Sequence, residues 1–306
     1  MPPAPRTRNR ASAAVVAAVV AALMVSGCSA RRRGAAPPPG TEGLPSAVEF
    51  EASATRRREA LRAIRATGRL QVAVDAASDG EVRRRRLSAS QSLLARAPDA
   101  FRLEALLPFG VGYVVATDGT SIAAFAPGER VLLRGAADLR TVAAATGVAA
   151  EPSDVVALLL GVAPVPPLDQ ARARVERTPA DVGDRGDDPA PEALLHATVR
   201  DRPDELVVVG FARPAAAGGD WVPVLFERST IGGDLLLRAR FGDFAASPAG
   251  PVARRVEIEA RGSEATLRWS TFEVNPAFDA AAFTLPTPPG IRERSFAEPA
   301  TAGVGP

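Results

Sequence analysis

The chain of 306 residues contains no lysine, one cysteine (Cys28), one histidine (His196) and one tyrosine, and aromatic residues make up only 5% of it. Each scarcity excludes something. One cysteine cannot close an internal disulfide. Without lysine there is no Schiff-base amine, and a lone thiol and a lone imidazole leave little from which to build a nucleophile and its base. All 37 basic residues are arginine and alanine is abundant, a composition that reflects codon bias more than selection for phosphate recognition, so no nucleic-acid partner is implied. The net charge of +2 is unevenly spread. Arg6, Arg8, Arg10, Arg31, Arg32 and Arg33 fall within residues 1–40, which hold no acid, so the remainder is mildly acidic.

What is present begins with a targeting pattern. A basic start carrying Arg6, Arg8 and Arg10 leads into an apolar run, Ala11 to Val25, too short to anchor as a membrane span. The run ends Val25-Ser26-Gly27-Cys28, which resembles a bacterial lipobox. The alternative is an ordinary secretory signal that happens to end near a cysteine. On the lipobox reading, residues 1–27 are a signal peptide and Cys28 becomes an N-terminal residue acylated on sulfur and nitrogen. Ser29 follows Cys28 where an aspartate would resemble an inner-membrane retention signal, which favours the outer membrane, facing the periplasm, or the cell membrane in a monoderm. Arg31 to Arg33 fit either lipid headgroups or plain solvent. Residues 28–53, rich in Pro and Gly, read as a tether.

From Ala54 to Ala66 the spacing of Ala60, Leu61 and Ile64 predicts an amphipathic helix stopped by Thr67-Gly68. Period-two patterning then predicts six strands between Gly68 and Arg134, punctuated by Ser78-Asp79-Gly80, Pro98-Asp99, Asp118-Gly119 and Pro127-Gly128. Asp138 to Thr146 and Pro152 to Leu160 read as short helices, the second capped by Ser153 and ended by Gly161. Pro164 to Pro191 reads as a loop, and six further strands follow between Leu195 and Val274. Eleven or twelve strands with helices that interrupt them predict a mainly β domain over residues 54–292, a curled antiparallel sheet with helices in its concavity, and a disordered tail over 293–306.

No GxSxG, HExxH, CxxC or phosphate-loop pattern occurs, so no catalytic residue and no enzymatic activity are expected. His196 stands on a predicted strand with no acid or nucleophile at recognisable spacing. Asp181, Asp184, Asp187 and Asp188 do not match a calcium loop and read as solvated, so no metal is expected. Leu107-Pro108-Phe109-Gly110 is more informative. Phe109 either projects from a hairpin tip or tucks back over the core.

Taken in order, the lipobox, the tether, the helix, PDxFRLE (Pro98 to Glu104), PFG (Pro108 to Gly110), LLLGVAP (Leu158 to Pro164) and the stretch from Asn275 to Gly290 resemble the LolB-like outer-membrane lipoproteins, within the wider lipoprotein-localisation and mycobacterial lipid-carrier superfamily. The resemblance covers about residues 55–292. It implies a half-open antiparallel barrel of about eleven strands holding a helical plug, with a concavity that accepts acyl chains. It further implies that Phe109, with Leu107, is an apolar tip that meets membrane or acyl chain, and that Leu70, Val72, Val74, Leu103, Leu158 and Leu159 line the cavity. Lipids or lipoproteins would be cargo and a periplasmic protein the carrier, with no cofactor beyond a bound acyl lipid. Two departures stand out: the insertion from Pro164 to Pro191, and a tail past Arg292 expected to add no strand. A non-catalytic assembly lipoprotein, its concavity filled by its own side chains, is the competing reading.

Overall fold

A computed structural model describes residues 43–78, 81–178, 189–260 and 262–296. The features expected at Cys28, at Arg31 to Arg33 and at Asp181 to Asp188 lie outside the described residues, as does the side chain of Val74.

The chain is mainly β. Helix α1 (Ala47–Ala60) precedes six strands: β1 (Ala63–Ser78), β2 (Glu81–Arg96), β3 (Ala100–Leu107), β4 (Gly110–Thr117), β5 (Ser121–Ala126) and β6 (Val131–Ala136). Helices α2 (Leu139–Thr146) and α3 (Pro152–Leu159) follow. Then come β7 (Ala171–Arg177), β8 (Ala193–Val199), β9 (Glu205–Ala212), β10 (Val222–Thr230), β11 (Leu235–Ala245), β12 (Val252–Ala260), β13 (Ser263–Val274) and β14 (Arg292–Ser295). All belong to one fourteen-stranded sheet ordered β14-β6-β5-β4-β3-β2-β1-β13-β12-β11-β10-β9-β8-β7. Neighbours pair antiparallel except β14 with β6, which run parallel. The sheet does not close on itself, and α2 and α3 pack against its concave side with Val142, Val155, Val156, Leu158 and Leu159 in the main core. This is the curled sheet with helices in its concavity that the strand rhythm implied, and the half-open barrel with a helical plug that the resemblance implied.

The strand count exceeds the expected eleven or twelve by β7 and β14. Strand β7 lies inside the segment expected to be a loop; Ala171, Ala173 and Val175 alternate with Arg172, Arg174 and Glu176, a period-two pattern whose small members give a weak signal. Strand β14 lies in the supposed tail, has the sequence RERS, and forms through backbone pairing to the edge of β6.

The first helix is displaced from its expected place. It spans Ala47–Ala60 rather than residues 54–66, so residues 47–53, assigned to the tether, are helical. A capping box fixes its start: the Ser46 hydroxyl accepts from the Glu49 amide, and the Glu49 carboxylate accepts from the Ser46 amide at 2.7 Å. Phe50, Ala54 and Arg57 form the buried stripe. Leu61 and Ile64 are buried too, but Leu61 follows the helix and Ile64 lies on β1, which starts at Ala63. The cap of α3 also differs. Glu151 occupies the cap position without a side-chain bond and Pro152 opens the helix, leaving Ser153 inside it.

Thr67-Gly68 does not end a helix. It is where the pairing of β1 with β13 shifts register, a bulge that lets Gly68 face Trp269. A Cβ on Gly68 would lie 1.8 Å from the carbonyl oxygen of Arg268, a backbone atom that cannot move aside alone. Gly68→Ala is therefore expected to cost about 3 kcal/mol or more of unfolding free energy in denaturant titration. A variant as stable as the parent would show that the two strands separate freely at this point.

Candidate functional site

The concavity has a filled part and an open part. In the filled part, the plug segment between β6 and β7 buries Val155, Leu158 and Leu159 in one core cluster with Phe101, Phe226, Phe241 and Trp269. Leu158 and Leu159, named from sequence as cavity lining, are thus buried by the protein itself.

Few polar contacts hold this plug. The Tyr113 hydroxyl on β4 donates to the Ala145 carbonyl at the end of α2, at 2.6 Å. Burial pushes the Tyr113 phenol up to about 12, with the Glu129 carboxylate adding to the shift, so the hydroxyl stays a donor across the physiological range. Arg228, buried on β10, donates to the Asp154 carboxylate in the first turn of α3 at 3.1 Å and to the Ala149 carbonyl at 3.4 Å. Its other acid, Glu205, stands 3.8 Å away without hydrogen-bond geometry. Arg57 of α1 donates from Nε to the Gly161 carbonyl just past α3, at 3.3 Å. Burial lowers its guanidinium to about 10, and Nη2 finds no partner among the described residues. Between α1, α3 and the β2–β3 turn lies a cleft of about 280 Å³ lined by Leu61, Pro98, Val156 and Leu160.

Asp154 is the acid that neutralises Arg228. Asp154→Ala is expected to cost about 3 kcal/mol, since a buried guanidinium would keep only a carbonyl and a distant carboxylate. Loss of under 0.5 kcal/mol in thermal or chemical unfolding would show that the pair does not hold the plug.

The open part is an apolar strip on the concave side of β1, β2 and β3. The register pairs Leu70 with Ala89 and Val72 with Leu87, and on the other flank Leu93 with Leu103 and Gln91 with Ala105. Exposure rises along it. Leu93 is fully buried, Leu70 and Leu103 are half-buried against the core, and Val72 lines a shallow cleft with Leu87. Leu107 and Leu87 are 52% and 66% exposed, and Phe109 at the β3–β4 tip is 103% exposed. Leu107 pairs with Gly110, so Pro108 and Phe109 alone form the turn. Gly110 takes φ +121°, a conformation that suits glycine. Phe109 thus projects and does not tuck back over the core. Gln91 is the polar interruption: it is 1% exposed, donates to the Arg69 carbonyl at 3.5 Å, and its Oε1 has no partner among the described residues.

The structure brings Leu70, Val72, Leu103, Leu107 and Phe109 onto one strip, with Leu158 and Leu159 in the adjoining core. Sequence reasoning set Leu87 in a strand alternation with Ala89 and Leu93 without assigning it to the site, and it missed Tyr113, Asp154 and Arg228, which act across long sequence separations that no local pattern reports. His196 on β8 is 2.8 Å from the Glu176 carboxylate of β7 without hydrogen-bond geometry, an acid that reaches it through strand pairing rather than sequence spacing. Among the described residues no group of three or more His, Cys, Asp or Glu could hold a metal ion.

No family model matches the chain and no curated protein matches it. Solved structures do. A domain described as an outer membrane lipoprotein-sorting protein from Vibrio parahaemolyticus is 12% identical, with 77% of this chain and 95% of that one covered and a TM-score of 0.47. A LolA superfamily protein from Nitrosomonas europaea is 15% identical over 77% of this chain and 97% of that one, with a TM-score of 0.42. A DUF1329 family protein from Desulfovibrio piger is 12% identical over 78% of this chain and 96% of that one, with a TM-score of 0.46.

Proposed function

We propose that this chain is a lipid-anchored, non-catalytic acceptor of acyl chains, taking lipids or lipoproteins at the periplasmic face of the outer membrane. The observation that carries this reading is the apolar strip, interrupted at Gln91, from the buried Leu93 to the fully exposed Phe109, lying beside a plug secured by a handful of polar contacts. An acyl chain entering at Phe109 would run along Leu107, Leu87, Leu103 and Leu70 and displace the plug. Each methylene buried contributes roughly 0.8 kcal/mol, so ten of them contribute roughly 8 kcal/mol. Each hydrogen bond to the plug is worth roughly 0.5–3 kcal/mol, so cargo binding can offset its release. Transfer between two such concavities needs differential affinity and no covalent step, and a periplasmic carrier protein is the natural donor.

The second reading is an assembly lipoprotein that uses the fold as a platform. It is favoured by the packing of Leu158 and Leu159 into the concavity. Organic extraction and mass spectrometry of the purified chain separate the two. Co-purifying lipid in stoichiometric amount supports the acceptor, and a lipid-free chain that takes up no acyl probe supports the platform.

Membrane attachment rests on Cys28, the only cysteine in the chain. Cys28→Ala should abolish metabolic labelling with fatty acid and release the product from the membrane or leave it unprocessed. Continued labelling of that variant would contradict the anchor.

A further inference from the structure

Strand β2 outruns its neighbour. Its pairing with β3 begins at Ser90, opposite Leu106, whereas its pairing with β1 continues to Glu81. Residues 81–89 thus have no strand partner on the β3 side and extend past the β3–β4 tip, residues 85–89 backed by β1 and β13 and residues 81–84 by β1 alone. Extending the β2–β3 register brings Leu87 level with Phe109.

This stretch carries the run Arg83-Arg84-Arg85-Arg86-Leu87. Arg84, Arg85, Arg86 and Leu87 are exposed. Arg84 is accounted for: it pairs with Glu264 of β13 and stands opposite Asp75. Arg85 and Arg86 make no ion pair among the described residues, and alternation along the strand places Arg85 on the face of Leu87 and Arg86 on the other.

The strand directions add a third element. With consecutive strands antiparallel, the β1–β2, β3–β4 and β10–β11 turns all fall at one end of the sheet. Ile231, 68% exposed, sits in the β10–β11 turn. Of the seven large apolar side chains most exposed among the described residues, Leu87, Leu107, Phe109, Val111 and Ile231 lie toward this end, and Val48 and Leu139 do not. Apolar side chains flanked by arginines that make no ion pair among the described residues match the chemistry of an interface where acyl chains lie under anionic headgroups.

We infer that this end of the sheet docks on an anionic lipid bilayer, with Leu87 and Ile231 entering beside Phe109 and Arg85 and Arg86 binding the headgroups. The inference deepens the proposed function by naming the surface toward which the strip opens, and it rests on that reading for Phe109.

The test uses the full lipidated chain reconstituted in vesicles of phosphatidylcholine, with or without about one third phosphatidylglycerol. Leu87→Cys carries an environment-sensitive dye, the wild-type chain labelled alike sets the background, and Val48→Cys gives a site away from this end. The dye at position 87 is expected to shift to the blue only in the anionic vesicles, and the dye at 48 in neither. Each arginine contributes roughly 1 kcal/mol at an anionic surface, about five-fold, so Arg85→Ser with Arg86→Ser should reduce the inserted fraction about thirty-fold. Equal shifts in both vesicle types, or no shift in either, overturn the inference, and the second result assigns the arginines to an acidic protein partner. Acyl-probe uptake in detergent by the doubly substituted chain keeps the two claims apart. Retained uptake with lost docking supports the inference, and absent uptake in wild type and variant alike counts against the acceptor reading instead.

Discussion

Replacing Leu159 with aspartate should lower the unfolding free energy by about 4 kcal/mol, because it both removes a packed leucine and places a carboxylate in an apolar core. Leu159 is 4% exposed and packs in the same cluster as Phe226, Phe241 and Trp269. Side chains outside the plug segment reach it by polar contact at Ala145, Ala149, Asp154, Gly161, Val165 and Leu168, and none of those contacts is made at Leu159. By contrast, Val48→Asp at an exposed position of α1 should change stability by less than about 0.5 kcal/mol. Unchanged melting of the Leu159 variant would place α3 outside the core and remove the plug from the account.

Phe109→Glu should do the opposite, leaving the melting profile as in the parent and reducing acyl-probe uptake about ten-fold or more. The ring is fully exposed on a two-residue turn, so the domain's own stability gains nothing from it. Burial of a phenylalanine side chain is worth roughly 1.5–3 kcal/mol, which an entering acyl chain or bilayer would supply and a carboxylate would forfeit. Phe109→Leu should restore most of the uptake. A glutamate variant with full uptake would deprive the tip of its role, and one that unfolds would show that Phe109 packs against the domain.

The sequence disclosed the fold wherever burial is one-sided and local. Phe101, Leu103 and Ala105 alternate with Arg102 and Glu104 because one face of β3 meets the concavity, and α3 stood out because five of its eight residues are buried. It misled where one pattern serves two structures. Leu61 and Ile64 have helical spacing, yet the chain passes from helix to strand between them, and the true start at Ser46 was marked by a capping box within the supposed tether. Gly68 reads as a stop in one dimension and is a point of close strand approach in three. Strands β7 and β14 carry almost no apolar signal because each is a sheet edge held by backbone pairing. For the site, PFG marked Phe109, but its exposure depended on where the β2–β3 register ends. The plug contacts through Arg228 and Tyr113 join residues far apart in the chain, and only the folded structure brings them together.

The central claim is that acyl chains occupy the concave strip, and photocrosslinking tests it most directly. The purified chain is equilibrated with a lipid whose acyl chain bears a diazirine, irradiated, and digested for mapping. Saturable adducts on β1, β2, β3 and α3, at Leu70, Leu87, Leu103, Phe109 and Leu159, competed away by unlabelled diacyl lipid, are the predicted result. Adducts that fail to saturate, or that fall only on the convex face of the sheet, would contradict it.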